Sequence, residues 1–383
     1  MIIDQPVGAS MPVKGPRLLS LDFFRGLTVA CMILVNNPGS WAHIYGPLEH
    51  SEWNGCTPTD LVFPFFLFMV GVSIVYAMES KKADPSLHVS LLLSVLRRTV
   101  LIILLGMCLS LISKFDLAHL RIPGVLFRIA LVFGASALIY IKTSGKLQVV
   151  IAVVLLVGYY LLMNFVPVPG FGPANLEPAT NLGAWVDRMV FTENHLWKFS
   201  KTWDPEGLLG TLPAIATSLI GIQTGTWLKK GRLKNSKDLA KIFGTGIVLL
   251  IAALIWNEFF PINKALWTSS FVLFTAGLGI IILALSYWII DVKGYQLIIP
   301  PFVAFGRNAI TAFVLSGILP RLLSSIPFTE NGKSTNFWAY INHSVLEPNF
   351  SPNNASLISA FIVVLLIFIP IWWMYVKKVM IKI

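Results

Sequence analysis

Between Leu21 and Gly71 the chain runs LDFFRGLTVACMILVNNPGSWAHIYGPLEHSEWNGCTPTDLVFPFFLFMVG, two apolar stretches hinged by a polar turn. An apolar run of about 20 residues has one stable home, a helix that closes its own backbone hydrogen bonds inside a bilayer. Against that background Arg25, Asn36, Asn37 and Asp60 are costly residues. Charges and amides within or at the ends of spanning helices are kept where they line a pathway or build a site.

The rest of the chain agrees with this reading. Of its 383 residues 56% are hydrophobic and 12% charged, well below the roughly 25% charged content of a soluble domain. The formal charge of +11 does not argue for nucleic acid, because a membrane protein gathers Lys and Arg on its cytoplasmic side. Cys31, Cys56 and Cys108 are an odd set without metal-ligand spacing, and no metal site is expected. The first residues, MIIDQPVGASMPVKGPR, lack the charged and then apolar pattern of a cleavable signal, so the first span is the expected targeting element.

The expected fold is all-α, a polytopic membrane protein with about ten transmembrane helices centred near residues 27 to 37, 68, 103, 132, 155, 218, 248, 278, 310 and 365. Basic residues fall on alternate connections: Lys81 and Lys82, Lys142 and Lys146, the run KKGRLKNSK from 229 to 237, Lys293, and the tail with Lys377, Lys378 and Lys382. By the positive-inside rule both termini are then cytoplasmic. Residues 1–383 read as one transmembrane domain, with extracytoplasmic loops near 38–56, 166–207 and 320–354. The middle loop is rich in Trp, Pro, Asn and Gly and reads as an ordered cap.

Candidate chemistry gathers at the ends of the spans. His50 can take a proton from an amine or hydroxyl, or carry an acyl group on a ring nitrogen. It can equally be a loop histidine satisfied by its neighbours, and His43, His195 and His343 lie on the same side. Asp60 has the form of a helix-start cap behind Thr57 or Thr59, and is also placed to orient His50 or hold an amine. Asn36 or Asn37 can cap the first span or polarise a carbonyl.

Arg25, Arg97, Arg98, Arg128, Arg307 and Asn308 form a basic group within or near spans. Guanidinium forks suit the phosphates of an anionic cofactor entering from the cytoplasm, and a structural ion pair such as Asp22 with Arg25 is the competing account. Trp53, Asn54, Asp204, Glu206, Asn263, Lys264 and Trp267 combine rings, acids and amides, the usual dressing of a carbohydrate or amine site. Interfacial tryptophan alone is common in membrane proteins. Cys56 is a weaker acyl-carrier candidate, with nothing nearby to lower its pKa. No Walker loop, dinucleotide fingerprint, HExxH or GxSxG element is present.

Six segments in order, RLLSLDFFRGLTVACMILVNN, HSEWNGCTPTDLVFPFFLFMVG, RIPGVLFRI, TWDPEGLLGTLPAI, PINKALWTSSFVL and FGRNAI, resemble the heparan-α-glucosaminide N-acetyltransferase family and its bacterial relatives. The resemblance covers nearly the whole membrane region. It implies a multi-span acetyltransferase that takes acetyl-CoA on the cytoplasmic side and acetylates the amine of a terminal glucosamine on the other. The family's active-site histidine falls on His50, through a His-x-x-Trp-Asn-Gly element, and its companion asparagine on Asn36, with Asn37 the alternative register. The loop between them is longer than in the animal enzymes, and their large luminal N-terminal domain has no counterpart here.

Expected partners are therefore acetyl-CoA, an amino-sugar or glycan acceptor and membrane lipid. The resemblance to dimeric members points to a homodimer, and the expected location is a bacterial inner membrane. An amino-sugar or glycan transporter and a sugar O-acyltransferase are the alternative functions.

Overall fold

The structure is a computed structural model that describes residues 18–112, 115–231, 236–330 and 333–381. The N-terminal stretch read above for a signal, Lys382 and much of the basic run near 232–235 lie outside the described residues. Helices dominate: α1 (Leu19–Asn36), α2 (Val62–Lys82), α3 (His88–Leu111), α4 (Val125–Lys142), α5 (Gly145–Phe165), α6 (Leu182–Phe191), α7 (Thr211–Gly231), α8 (Ser236–Asn257), α9 (Ser269–Tyr287), α10 (Pro300–Arg307), α11 (Ala309–Ser325), α12 (Phe337–Tyr340) and α13 (Pro352–Val376). Among the described residues the only sheet is a hairpin of β1 (Pro327–Glu330) and β2 (Lys333–Asn336).

Among the described residues eight helices are long and apolar enough to cross a membrane, and a ninth span arises if α10 and α11, bent by 85° at Asn308, are taken together. The expected all-α, polytopic architecture is thereby met. The helix near residue 218 is present as α7, but Thr217, Ser218, Gln223 and Thr224 interrupt its apolar character. It can be that polar because it is packed among α2, α4, α5 and α9 instead of facing lipid. By contrast, Leu93, Leu96, Val150, Val154, Leu254 and Ile255 on α3, α5 and α8 stay exposed, as lipid-facing residues do.

The expected loop at 320–354 starts too early. α11 continues through Pro320 to Ser325, and the hairpin follows it. The stretch from 166 to 207 contains α6.

Glycine sets the closest helix contacts. A Cβ at Gly26 of α1 would lie 1.7 Å from the Phe302 carbonyl oxygen, and one at Gly306 of α10 1.9 Å from that of Asp22. On the other side of the core, Gly71 of α2 meets the Ser218 carbonyl and Gly221 of α7 that of Phe68, at 1.9 and 2.0 Å for a Cβ. Backbones this close gain dispersion contacts that substitute for the hydrophobic drive lipid cannot supply. The lysine-bearing helix ends meet at one end of the molecule, where Lys82 Nζ donates to the Thr143 carbonyl at 2.8 Å and Lys229 pairs with Glu79 at 2.7 Å.

Gly26→Ala is expected to destabilise the protein by about 3 kcal/mol or more, because backbone and not a flexible side chain stands in the way. A thermal melt of the detergent-solubilised protein checks this; an unchanged midpoint would contradict the packing.

Candidate functional site

The turn between α1 and α2 is anchored by one carboxylate. Pro58–Leu61 forms a 3-10 turn in which Thr57 and Asp60 make a reciprocal capping box, so the polypeptide ends its loop there and runs on into α2 at Val62. Asp60 has no exposed surface. Its Oδ2 accepts from Thr57 N–H at 3.0 Å, Ser51 N–H at 3.1 Å and the Thr57 hydroxyl at 3.1 Å. Its Oδ1 faces His50 Nδ1 at 2.7 Å. A carboxylate only accepts, so Nδ1 of the exposed imidazole donates to it, and in the neutral ring Nε2 is left as the acceptor. Capping and orienting, posed as alternatives by the sequence, are done by different oxygens of one side chain.

The partner of this turn comes from between α8 and α9. Gly55 N–H donates to the Ile262 carbonyl at 2.7 Å, and Asn263 Nδ2 donates to Asn54 Oδ1 at 3.2 Å. The two loops are thereby registered. Lys264 Nζ lies 3.1 Å from Nδ1 and 3.2 Å from Nε2 of His50, and 3.7 Å from Asp60 Oδ1. Burial lowers the pKa of the Lys264 amine below the ordinary lysine range, opposed by the charges of Asp60 and Glu206. Burial and the Asp60 charge push the Cys56 thiol up to about 12, which removes it as a nucleophile at neutral pH.

An aromatic and acidic wall adjoins these residues. Trp53 donates to the Leu176 carbonyl at 3.1 Å and packs edge-on against Trp203 at 5.2 Å. Buried Asp204 takes a bidentate pair of hydrogen bonds from Arg121 at 2.8 and 2.6 Å, and Arg121 also reaches Glu206 at 2.6 Å. Burial works against the Glu206 charge, but Arg121, Arg128 and Lys264 outweigh it and hold that carboxyl below its ordinary range. Arg128 is fully buried, donates to the Gly207 carbonyl at 2.8 Å and lies over the Trp267 ring at 5.1 Å. It stands with the Asp204 turn, apart from the other cations with which the sequence reading grouped it.

Those others sit elsewhere. Arg25 donates to the Gly306 carbonyl and to Ser73 Oγ, each at 3.1 Å, and pairs with Asp22 at 3.6 Å. Arg307 approaches Asp22 at 3.9 Å and lies over Tyr375, while Asn308, at the break between α10 and α11, is buried with its amide unpartnered among the described residues. Arg97 and Arg98 are exposed on α3, with Arg98 over Phe133. Asn36 is exposed at the end of α1, and no hydrogen bond joins it to His50, Asp60 or Lys264, whereas Asn37 closes the helix by donating to the Ile33 carbonyl at 2.7 Å. His195 meets the Leu120 carbonyl and His343 meets Glu347, so both have local partners.

Two residues were missed. Arg121 opens the RIPGVLFRI segment, and the attention given to Arg128 passed over it. Asp187, a lone acid on α6, accepts Leu208 N–H at 2.8 Å and abuts Gly207, where a Cβ would fall 2.1 Å from its Oδ2. It thus staples the turn that carries Trp203, Asp204 and Glu206. No sequence motif marks it.

A family model described as heparan-alpha-glucosaminide N-acetyltransferase, catalytic, matches residues 17–254. That match includes His50, Asp60, Arg121 and Asp204 and ends before Lys264. The heparan-alpha-glucosaminide N-acetyltransferase of Homo sapiens is 30% identical to this chain, with 81% of the chain and 54% of the relative covered. That of Mus musculus is also 30% identical, over 78% of the chain and 53% of the relative. The chain spans about half the length of the curated relatives it matches.

Burial, with the nearby Asp204 charge, pushes the Asp187 carboxyl up to about 7. A folded-state pKa above the unfolded value stabilises the fold fully below about pH 4, and that contribution is lost as pH rises through 7. Asp187→Asn keeps the neutral form at every pH. Its melting midpoint should therefore exceed that of the wild type at about pH 8 and approach it near pH 5. A difference independent of pH would refute the protonation of Asp187.

Proposed function

The chain belongs to the heparan-alpha-glucosaminide N-acetyltransferase family, and from that premise we propose that it transfers acetyl from cytoplasmic acetyl-CoA to the amine of a glucosamine-type sugar across the membrane. The observation that carries the reading is the imidazole of His50, exposed to solvent and held through Nδ1 by a buried carboxylate at 2.7 Å. An acyl transfer to an amine needs a group that removes the amine proton or accepts the acyl group first, and a tautomerically fixed imidazole does either. Asp60 supplies orientation and compensates the imidazolium that forms, without itself taking the proton.

The acceptor side is supported by Trp53 and Trp203, whose rings offer apolar faces to a sugar, with Asn54 and Asn263 beside His50. Asp204, Glu206 and Arg121 brace that wall, since their charges are spent mostly on one another, and buried Arg128 holds the Gly207 carbonyl beside them. For the donor, the cluster of Arg25, Arg307 and Asn308 fits an anion with a long polar arm. It offers two guanidinium groups and a buried amide that has no partner among the described residues. Basic residues gathered at the opposite helix ends support a cytoplasmic placement of both termini and of the nucleotide end. Asn36, exposed at the outer end of α1, is the amide proposed to stabilise the carbonyl oxygen as it becomes an oxyanion. A bacterial inner membrane is the setting we propose, with a homodimer as the assembly.

Acetyl transfer from labelled acetyl-CoA to glucosamine, followed as an alkali-stable amide, tests the whole reading. His50→Ala should lower the rate by about 10² to 10⁴, and Asp60→Asn by about 10² through loss of the ring orientation. Wild-type turnover in His50→Ala would remove the histidine from the chemistry.

A further inference from the structure

The amine nearest to the ring nitrogens of His50 belongs to the protein itself. Lys264 Nζ contacts both ring nitrogens, at 3.1 and 3.2 Å, and Asp60 Oδ1 at 3.7 Å. This lysine is not a wandering surface side chain. It opens a tight turn in which Trp267 N–H donates to the Lys264 carbonyl at 3.1 Å and Thr268 N–H to the Asn263 carbonyl at 3.1 Å. Asn263 Oδ1 accepts Leu266 N–H at 2.8 Å, and its Nδ2 reaches across to Asn54. The turn therefore aims the lysine at the histidine.

A sugar amine must come within hydrogen-bond reach of the same imidazole to lose its proton or to receive an acyl group. Lys264 already has that position, the same functional group and the same carboxylate for company. We propose that Lys264 is an acetyl acceptor within the protein, a self-acetylation site that competes with the amino sugar for the acetyl group delivered at His50. This inference rests on the acetyl-transfer reading above.

The step balances without any further reactant. A bond forms between Nζ and the acetyl carbon while the thioester C–S bond breaks. The amine proton leaves through His50 and the thiolate of coenzyme A departs as thiol. The lysine has to be neutral to attack, and burial of its amine, which disfavours the ammonium, raises the neutral fraction. Acetylation then removes the positive charge beside Asp60 and leaves an amide against the imidazole that the sugar must approach. Acceptor sugar protects the protein; donor without acceptor blocks it.

The test uses the purified full-length protein in detergent with labelled acetyl-CoA, with and without glucosamine. Peptide mass spectrometry follows treatment with neutral hydroxylamine, which strips acetyl from imidazole and thiol but leaves amides. Lys198 and Lys201 are exposed, whereas Lys264 is half-buried, so indiscriminate chemical acetylation would favour the first two. The expected result is occupancy at Lys264 about tenfold above either of them, suppressed by glucosamine and absent in His50→Ala. Glucosamine protection of the wild type needs no variant and stands even if His50→Ala folds poorly. Occupancy no higher than at Lys198 and Lys201, insensitivity to glucosamine, or label wholly removed by hydroxylamine would each overturn the proposal. Acetylated glucosamine formed where the sugar is present, with Lys264 left unmodified in the tubes that lack it, would sink the self-acetylation alone, whereas absence of both products would sink the transfer reading with it.

Discussion

The buried carboxylate of Asp60 is the interaction on which the outer face of the molecule depends. An ionised side chain with no exposed surface is tolerated only when its lone pairs are taken up by donors. Here Ser51 and Thr57 supply backbone N–H groups and a hydroxyl to one oxygen, leaving the other for His50. Had residue 60 been a glutamine, the reciprocal cap could still form and α2 could still follow. It could not at the same time fix an imidazole tautomer with a charge. The start of a spanning helix and the placement of a reactive ring are thus one event, and the loop from Pro38 to Cys56 is held at its far end by the same contact.

Charge compensation extends this logic sideways. Arg121 is shared between Asp204 and Glu206, while Arg128 is buried beside them against Trp267 and the Gly207 carbonyl. Removing any single member would strand a desolvated charge, a loss of about 3 to 5 kcal/mol, so the group acts as a unit. Asp187 tightens the turn from α6, and its preference for a proton spares the cluster a further buried negative charge. The Arg121 ion pairs brace the tryptophan wall from behind, while Nε and Nη1 of buried Arg128 have no hydrogen-bond partner among the described residues.

How much of this was legible in the sequence depended on distance along the chain. The apolar runs announced the helices, since lipid permits little else, although α7 was counted as an ordinary span when its polar residues belong to an interior helix. His50 and Asp60, ten residues apart, could be paired from sequence because a short turn had to bring them together. Lys264 was placed among substrate-binding residues, but its contact with His50 spans 214 positions and depends on how the loop before α9 folds against the loop before α2. Arg128 was read as facing a cytoplasmic anion because depth in a span does not reveal which end of the bundle a long side chain serves. Asp187 carried no signal at all: one acid on a ten-residue amphipathic helix looks like a solvated face until the turn it staples is seen.

Trp267 shows what such a tertiary arrangement demands of the backbone. Its φ is 56°, in the left-handed region that disfavours a bulky side chain by about 1 to 3 kcal/mol, and it closes the turn that presents Asn263 and Lys264. Glycine would relieve the strain at once. The indole is nevertheless fully buried, donates to Thr217 Oγ1 at 3.2 Å, packs against Phe63 and Phe271, and lies under Arg128. Burial of so large a ring offsets the strain, on the order of 25 cal/mol for each Å² removed from water. The turn is therefore pinned from beneath by its own strained residue, so that the lysine at its tip has little freedom to leave the histidine unless a competing amine takes its place.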